Sequence, residues 1–139
     1  MITTNEKGNI GLTKVIADVV EKHYFPFLPL SDSNETDLII RNEKAELRRM
    51  QIKYRKIADG LIALPIETVV NRKKVKIDIS KVDIWAVYCP DNGLIYYVPT
   101  RELVKRNTTS TILLRVDKPK QEQKSIIYAD RFLSLDDAW

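Results

Sequence analysis

The chain has one cysteine, one histidine and no long apolar run, and each scarcity removes a class of protein. Cys89 alone forms no internal disulfide, which suits a reducing, intracellular compartment. With only His23 beside it, the usual nitrogen and sulfur ligands of a zinc site cannot be gathered within one chain. The same two residues are formally a Cys–His nucleophilic pair, a reading we set aside. No apolar stretch approaches the ~20 residues needed to cross a bilayer. The polar opening from Met1 to Lys7 lacks the apolar core of a signal peptide. A soluble, cytoplasmic protein with no membrane partner is therefore expected. Repeats, low-complexity tracts and linkers are also missing, so the 139 residues are read as a single domain over 1–139.

What is present is positive charge. The formal net charge is +4, and its distribution says more than its total. Basic residues gather at Arg48-Arg49, from Lys53 to Lys56, at Arg72-Lys73-Lys74 with Lys76, at Lys105-Arg106, and from Lys118 to Lys124. A polyanionic partner fits this pattern.

Periodicity sketches the elements. Leu12, Val15, Ile16, Val19 and Val20 recur at three and four, predicting an amphipathic helix from Ile10 to about Val20 whose first turn Gly8 and Gly11 loosen. His23 falls at its C-terminal end, and Pro26 requires it to have stopped. Phe25 to Leu30 carries two prolines and reads as an edge strand, followed by a polar loop at 31–35. Asp37 to Arg41 and Leu47 to Tyr54 read as strands joined by a tight turn around Asn42-Glu43-Lys44. Leu61 to Ile66 is a further strand. Ile84 to Tyr88 is continuously apolar, as a buried central strand is, and Pro90 to Gly93 turns it into Leu94 to Val98. Thr100 is expected to cap a short helix over Arg101–Lys105. Thr111 to Val116 is another strand, and Ser125 to Leu133 reads as a closing helix. The mixed order implies an α/β fold around a mixed sheet.

Within that sketch one constellation carries chemistry. Alternation puts Gln51 and Lys53 on one face of their strand, with Met50, Ile52 and Tyr54 on the other. A turn near Glu43-Lys44 leaves two registers, with Asp37 opposite Met50 or opposite Gln51. Only the second puts acid and amide on one face, with Cβ atoms ~5 Å apart. Magnesium takes hard oxygen ligands, and Asp37, the Gln51 amide and the backbone carbonyl of Ile52 could supply them. Such an ion lowers the pKa of a bound water and neutralises charge on a scissile phosphate. Lys53 could orient that water and stabilise the pentacovalent phosphorus. The pattern Q-x-K is short, however, and an alternating polar sheet face is commonplace. Gln51 also leaves the site one negative charge short.

Around it, Arg55 and Lys56 could hold adjacent phosphates, and Arg72, Lys73, Lys74 and Lys76 form a basic loop suited to a DNA groove or backbone. Lys118, Lys120 and Lys124 suggest a flexible basic arm. Trp85, Tyr88, Tyr96, Tyr97 and Phe132 are read as core or subunit interface rather than base-stacking residues.

An ordered series of segments then carries a family resemblance. It comprises Lys7-Gly8-Asn9-Ile10-Gly11 with Lys14-Val15-Ile16-Ala17, Thr36-Asp37-Leu38-Ile39-Ile40, and Gln51-Ile52-Lys53. Downstream follow Val82-Asp83-Ile84-Trp85-Ala86-Val87-Tyr88-Cys89-Pro90, Tyr97-Val98-Pro99 and Tyr128-Ala129-Asp130. From Gly8 to about Phe132 the sequence resembles the PD-(D/E)xK endonuclease superfamily. It is most similar to the branch with intron-encoded homing endonucleases of cyanobacterial type.

The resemblance implies a restriction-endonuclease-like core, a mixed β-sheet flanked by helices. It also implies Mg2+-dependent cleavage of double-stranded DNA and assembly into a homodimer or homotetramer. On it Asp37 takes the first acidic position, Gln51 the second and Lys53 the lysine. The glutamate that the superfamily carries early in the first helix falls about where Leu12 stands. Glu6, further upstream, is the acid available to replace it. A structure-selective nuclease of the Holliday-junction resolvase kind and a non-catalytic DNA-binding relative remain as alternatives.

Overall fold

The computed structural model describes residues 1–31, 35–117 and 125–139. Most of the polar loop at 31–35, and Lys118, Lys120 and Lys124, lie outside the described residues.

Five strands form the central sheet: β1 (Phe25–Phe27), β2 (Leu38–Arg41), β3 (Leu47–Tyr54), β7 (Ile84–Cys89) and β8 (Leu94–Pro99), side by side in that order. All neighbours are antiparallel except β3 and β7, which run parallel, so the sheet is mixed. The crossover between β3 and β7 contains β4 (Leu61–Pro65), β5 (Glu67–Val70) and β6 (Lys73–Lys76). β4 pairs with β9 (Thr111–Arg115) as a separate two-stranded layer, and β5 with β6 as a hairpin.

Burial alternates along the strands and makes two cores. On one face Leu38, Ile40, Met50, Ile84, Ala86 and Tyr97 pack with Val15 and Val19 of helix α1 (Thr4–Glu21) and Leu135 of α3 (Leu135–Ala138). On the other, Trp85, Val87, Cys89, Tyr96 and Val98 pack with Ile62 and Leu64 of β4 and Ile112 and Leu114 of β9. The short helix α2 (Thr100–Lys105) closes that second core with Leu103. β7 is buried along its whole length, as its apolar run demands. Trp85, Tyr88, Tyr96, Tyr97 and Phe132 are all buried. Among the described residues no helix is long and apolar enough to cross a membrane.

Four local readings are corrected. α1 begins at Thr4 rather than Ile10, because Thr3 and Glu6 close a capping box in which each side chain accepts the other's backbone N–H, at 3.2 and 2.7 Å. Gly8 and Gly11 therefore lie inside the helix. A Cβ at Gly11 would stand 3.5 Å from Ile52 Cγ2, so the glycine marks where α1 runs close over β3. The basic segment at 67–76 is a hairpin rather than a loop, turned by Asn71 and Arg72 at φ 51° and 63°. Two positive φ values in succession are what a tight two-residue hairpin turn requires.

Thr100 makes no cap bond to α2. Its hydroxyl donates to the Val82 carbonyl and accepts from the indole N–H of Trp85, a buried donor that needs an acceptor. The closing helix expected over Ser125–Leu133 is instead a single 3-10 turn at Ala129–Phe132 followed by α3, with Ser134 as its cap.

Candidate active site

The β2–β3 register settles which side chains can meet. Leu38 faces Met50 and Ile39 faces Arg49, and carrying that register one residue beyond β2 sets Asp37 toward Gln51. Its N–H donates to the Met50 carbonyl at 2.9 Å, and its Oδ2 accepts from the Ile52 N–H at 2.8 Å. The acid is thus fixed at both backbone and side chain against the middle of β3. Gln51 and Lys53 pair with Trp85 and Val87 of β7 and share the sheet face that carries the second core. Met50 and Ile52 belong to the opposite face, under α1.

Gln51 is only 5% exposed, and its Oε1 has no hydrogen-bond partner among the described residues. A buried polar atom left in that state costs roughly 1–3 kcal/mol. Lys53 is half-buried, and its Nζ donates to the backbone carbonyl of Glu67 at 2.8 Å. Burial pushes the Asp37 carboxyl above its usual value, against the opposing pull of the Ile52 bond and the Lys53 ammonium. Burial likewise draws the Lys53 ammonium below its usual value. Asp37 and, more weakly, Glu67 oppose that change, while Arg55 adds to it. Opposite charges that are both desolvated and unevenly satisfied are a mark of sites built for chemistry.

The donor set fits a hard divalent ion. The Asp37 carboxylate is bonded to Ile52, the neighbour of Gln51 with its buried, partnerless amide oxygen, and oxygen donors are what magnesium takes. Among the described residues no group of three or more His, Cys, Asp and Glu side chains could hold a metal by itself. Water, backbone or substrate phosphate must complete the shell.

The remaining expected residues distribute unequally. Arg55 stays at the site, its Nε bonded to the Ala63 carbonyl at 2.9 Å and its N–H to the Tyr88 carbonyl at 3.0 Å. Exposed Lys56 lines a cleft of about 550 Å³ with Lys53, Arg55, Thr4 and Lys7. A second cleft of about 820 Å³ joins Lys53 and Arg55 to the start of α1 and to Glu67, Val69 and Lys74 of the hairpin. Arg72, Lys73, Lys74 and Lys76 are all exposed. By register Lys74 and Lys76 lie opposite Val69 and Glu67, so these four share one hairpin face, while Lys73 points to the other.

Glu6 is exposed, and its carboxylate accepts the Thr3 N–H of its own helix. Leu12 packs on the apolar core beneath α1. Glu67, Thr4 and Asn5 are cleft residues that sequence reasoning missed. For Glu67 the available signal was the β-branched run Thr68-Val69-Val70 broken at Asn71.

Known proteins place this geometry. No curated protein matches the chain. The solved structure of a bacterial homing endonuclease, I-Ssp6803I, is similar in fold, with a TM-score of 0.71 over 94% of this chain and 88% of that one. Sequence identity between the two is 18%, so the likeness is one of architecture. A family model for PD-(D/E)XK endonucleases matches residues 2–135, nearly the full length. On the extent of that match, the chain belongs to the PD-(D/E)XK endonuclease family.

Proposed function

We propose that this endonuclease requires Mg2+ and hydrolyses the phosphodiester bonds of double-stranded DNA at specific sites, as a homodimer or homotetramer in the cytoplasm. The observation that carries the reading is the half-buried Asp37 carboxylate held on the Ile52 N–H, beside the partnerless Gln51 amide oxygen. Asp37 and Gln51 would hold the ion, with the Ile52 backbone as a third donor. When bound, the ion supplies an acidified water and charge neutralisation at the phosphate.

Lys53, already short of a full positive-charge environment, would orient the attacking water and stabilise negative charge gathering on the phosphorus oxygens. Arg55 and Lys56 would grip phosphates beside the scissile bond, while Arg72, Lys73, Lys74 and Lys76 extend the contact along the duplex. Glu6 would contribute only by leaving its capping box. Cutting both strands takes two active sites, which a symmetric assembly of this small chain supplies.

Supercoiled plasmid tests the reading. Wild type with Mg2+ should linearise plasmid that carries its site, and Asp37→Asn and Lys53→Met should not. Preferential cutting of four-way junctions over linear duplex would overturn site specificity in favour of a resolvase-like activity. Tight DNA binding with no cutting would identify a non-cleaving relative, a second reading that the apolar packing of Leu12 favours.

A further inference from the structure

The candidate metal site is short of negative charge. Asp37 is ionic but Gln51 is neutral, and Lys53 beside them adds a positive charge. A divalent ion placed there would leave a marked positive excess, whereas magnesium sites ordinarily hold one or two carboxylates. The first helix does not make up the difference. Its Glu6 is engaged with Thr3, and Leu12 is packed in a core.

One other acidic residue is tied to the same lysine through its backbone. Lys53 Nζ donates to the Glu67 carbonyl at 2.8 Å, which pins the start of the hairpin to the site. Glu67 lines the 820 Å³ cleft with Lys53, on the hairpin face it shares with Lys74. Its present partner is weak. Lys74 Nζ stands 3.7 Å from Glu67 Oε1, and the Lys74 side chain is 76% exposed. An ion pair so open to solvent is readily exchanged for a better one.

We propose that Glu67 supplies the second carboxylate of this metal site, directly or through the ion's water shell, in place of the charge that Gln51 lacks. The proposal rests on the Asp37–Gln51 site of the preceding subsection and adds a residue outside the family's short motif. Binding of the ion would draw Glu67 from Lys74. The freed lysine would then stand at the cleft mouth, available to a DNA phosphate, so metal and DNA would be taken up together. A purely structural Glu67–Lys74 pair predicts something different: loss of either partner should affect folding alike and leave metal affinity untouched.

Manganese binding to the full chain without DNA, followed by electron paramagnetic resonance of the free ion, separates these outcomes. Glu67→Gln should weaken Mn2+ binding about tenfold. Lys74→Met should strengthen it about threefold, by removing the competitor for Glu67. Asp37→Asn should abolish it. Unfolding midpoints measured without metal confirm that each variant folds, as the exposed Lys74 and partly exposed Glu67 side chains lead us to expect of the hairpin variants. Equal Mn2+ affinity in wild type and Glu67→Gln, with Asp37→Asn still defective, would overturn the role of Glu67 and leave the Asp37–Gln51 site standing. Weaker or unchanged binding in Lys74→Met would also overturn it. Undiminished binding in Asp37→Asn would instead overturn the site itself.

Discussion

Two cations on one face of β3 are handled in opposite ways. Arg49 is well partnered: its Nε and Nη2 each donate to Asp83 at 3.1 Å, and Nη2 also reaches the Ser80 carbonyl at 3.0 Å. Asp83 in turn accepts the Arg49 backbone N–H at 2.7 Å and donates its own N–H to the Arg49 carbonyl at 2.9 Å. Burial alone would raise the Asp83 carboxyl, but the Arg49 bonds outweigh it and hold the group below its usual value. Lys53, four residues on, has one carbonyl to donate to, and both it and Asp37 are shifted toward neutrality. The difference teaches how one strand serves two purposes. Where a charge finds its counter-charge, the pair clamps the start of the parallel β3–β7 pairing; where an amide oxygen is left without a partner, the strand keeps donor capacity for the ion proposed above.

The largest expected effect breaks the reactive end. Asp37→Asn or Lys53→Met should lower cleavage about a thousandfold, the scale for losing a group that meets developing charge. Neither should reduce the unfolding midpoint much, since each removes a charge that burial already disfavours. Breaking the clamped end should do the reverse. Asp83→Ala should cost about 2 kcal/mol in urea unfolding, the range for hydrogen bonds to charged groups, while cleavage at saturating metal stays within about twofold. A thousandfold loss of cleavage in a well-folded Asp83→Ala protein would erase the distinction.

Charge contacts should be smaller and additive. Lys76→Ala should reduce the slope of log DNA affinity against log salt by about 0.9, with little change in which sequence is preferred. The smallest effect is in pH. Because the Asp83 carboxyl is held below its unfolded value, its stabilisation is present above that value and lost as pH falls through the folded one. The stability gap between wild type and Asp83→Ala should therefore stay constant from about pH 7 to about pH 5, then shrink below about pH 4. A gap that widened in acid would reverse the assignment.

Much of the site was legible because its grammar is local. Period-2 alternation assigns the faces of β3, and the β2–β3 turn leaves only two registers to choose between. The parts that escaped depend on other residues. Thr100 reads as a cap, yet the buried Trp85 indole and the Val82 carbonyl claim its hydroxyl. Glu6 reads as a spare acid, and Thr-x-x-Glu at Thr3–Glu6 is also the signature of a capping box, a local role that the search for an acid passed over. The hairpin at 67–76 hides because both its basic strand and its turn are exposed, and Arg72 is an unusual residue for a positive φ.

The parallel pairing of β3 with β7 has a consequence for how this protein can change over evolutionary time. Antiparallel neighbours can be joined by a tight turn, but a parallel pair needs a long connection, and here that connection carries β4 and the basic hairpin. Lengthening such a segment costs little entropy, since closure grows only slowly with loop length. Asp37 and Gln51 meet across the short β2–β3 turn and do not depend on that length. Beyond Glu67, which Lys53 holds at the base of the hairpin, the outer turn around Asn71 and Arg72 can therefore be resized or recharged while the residues that face each other across β2 and β3 stay in place.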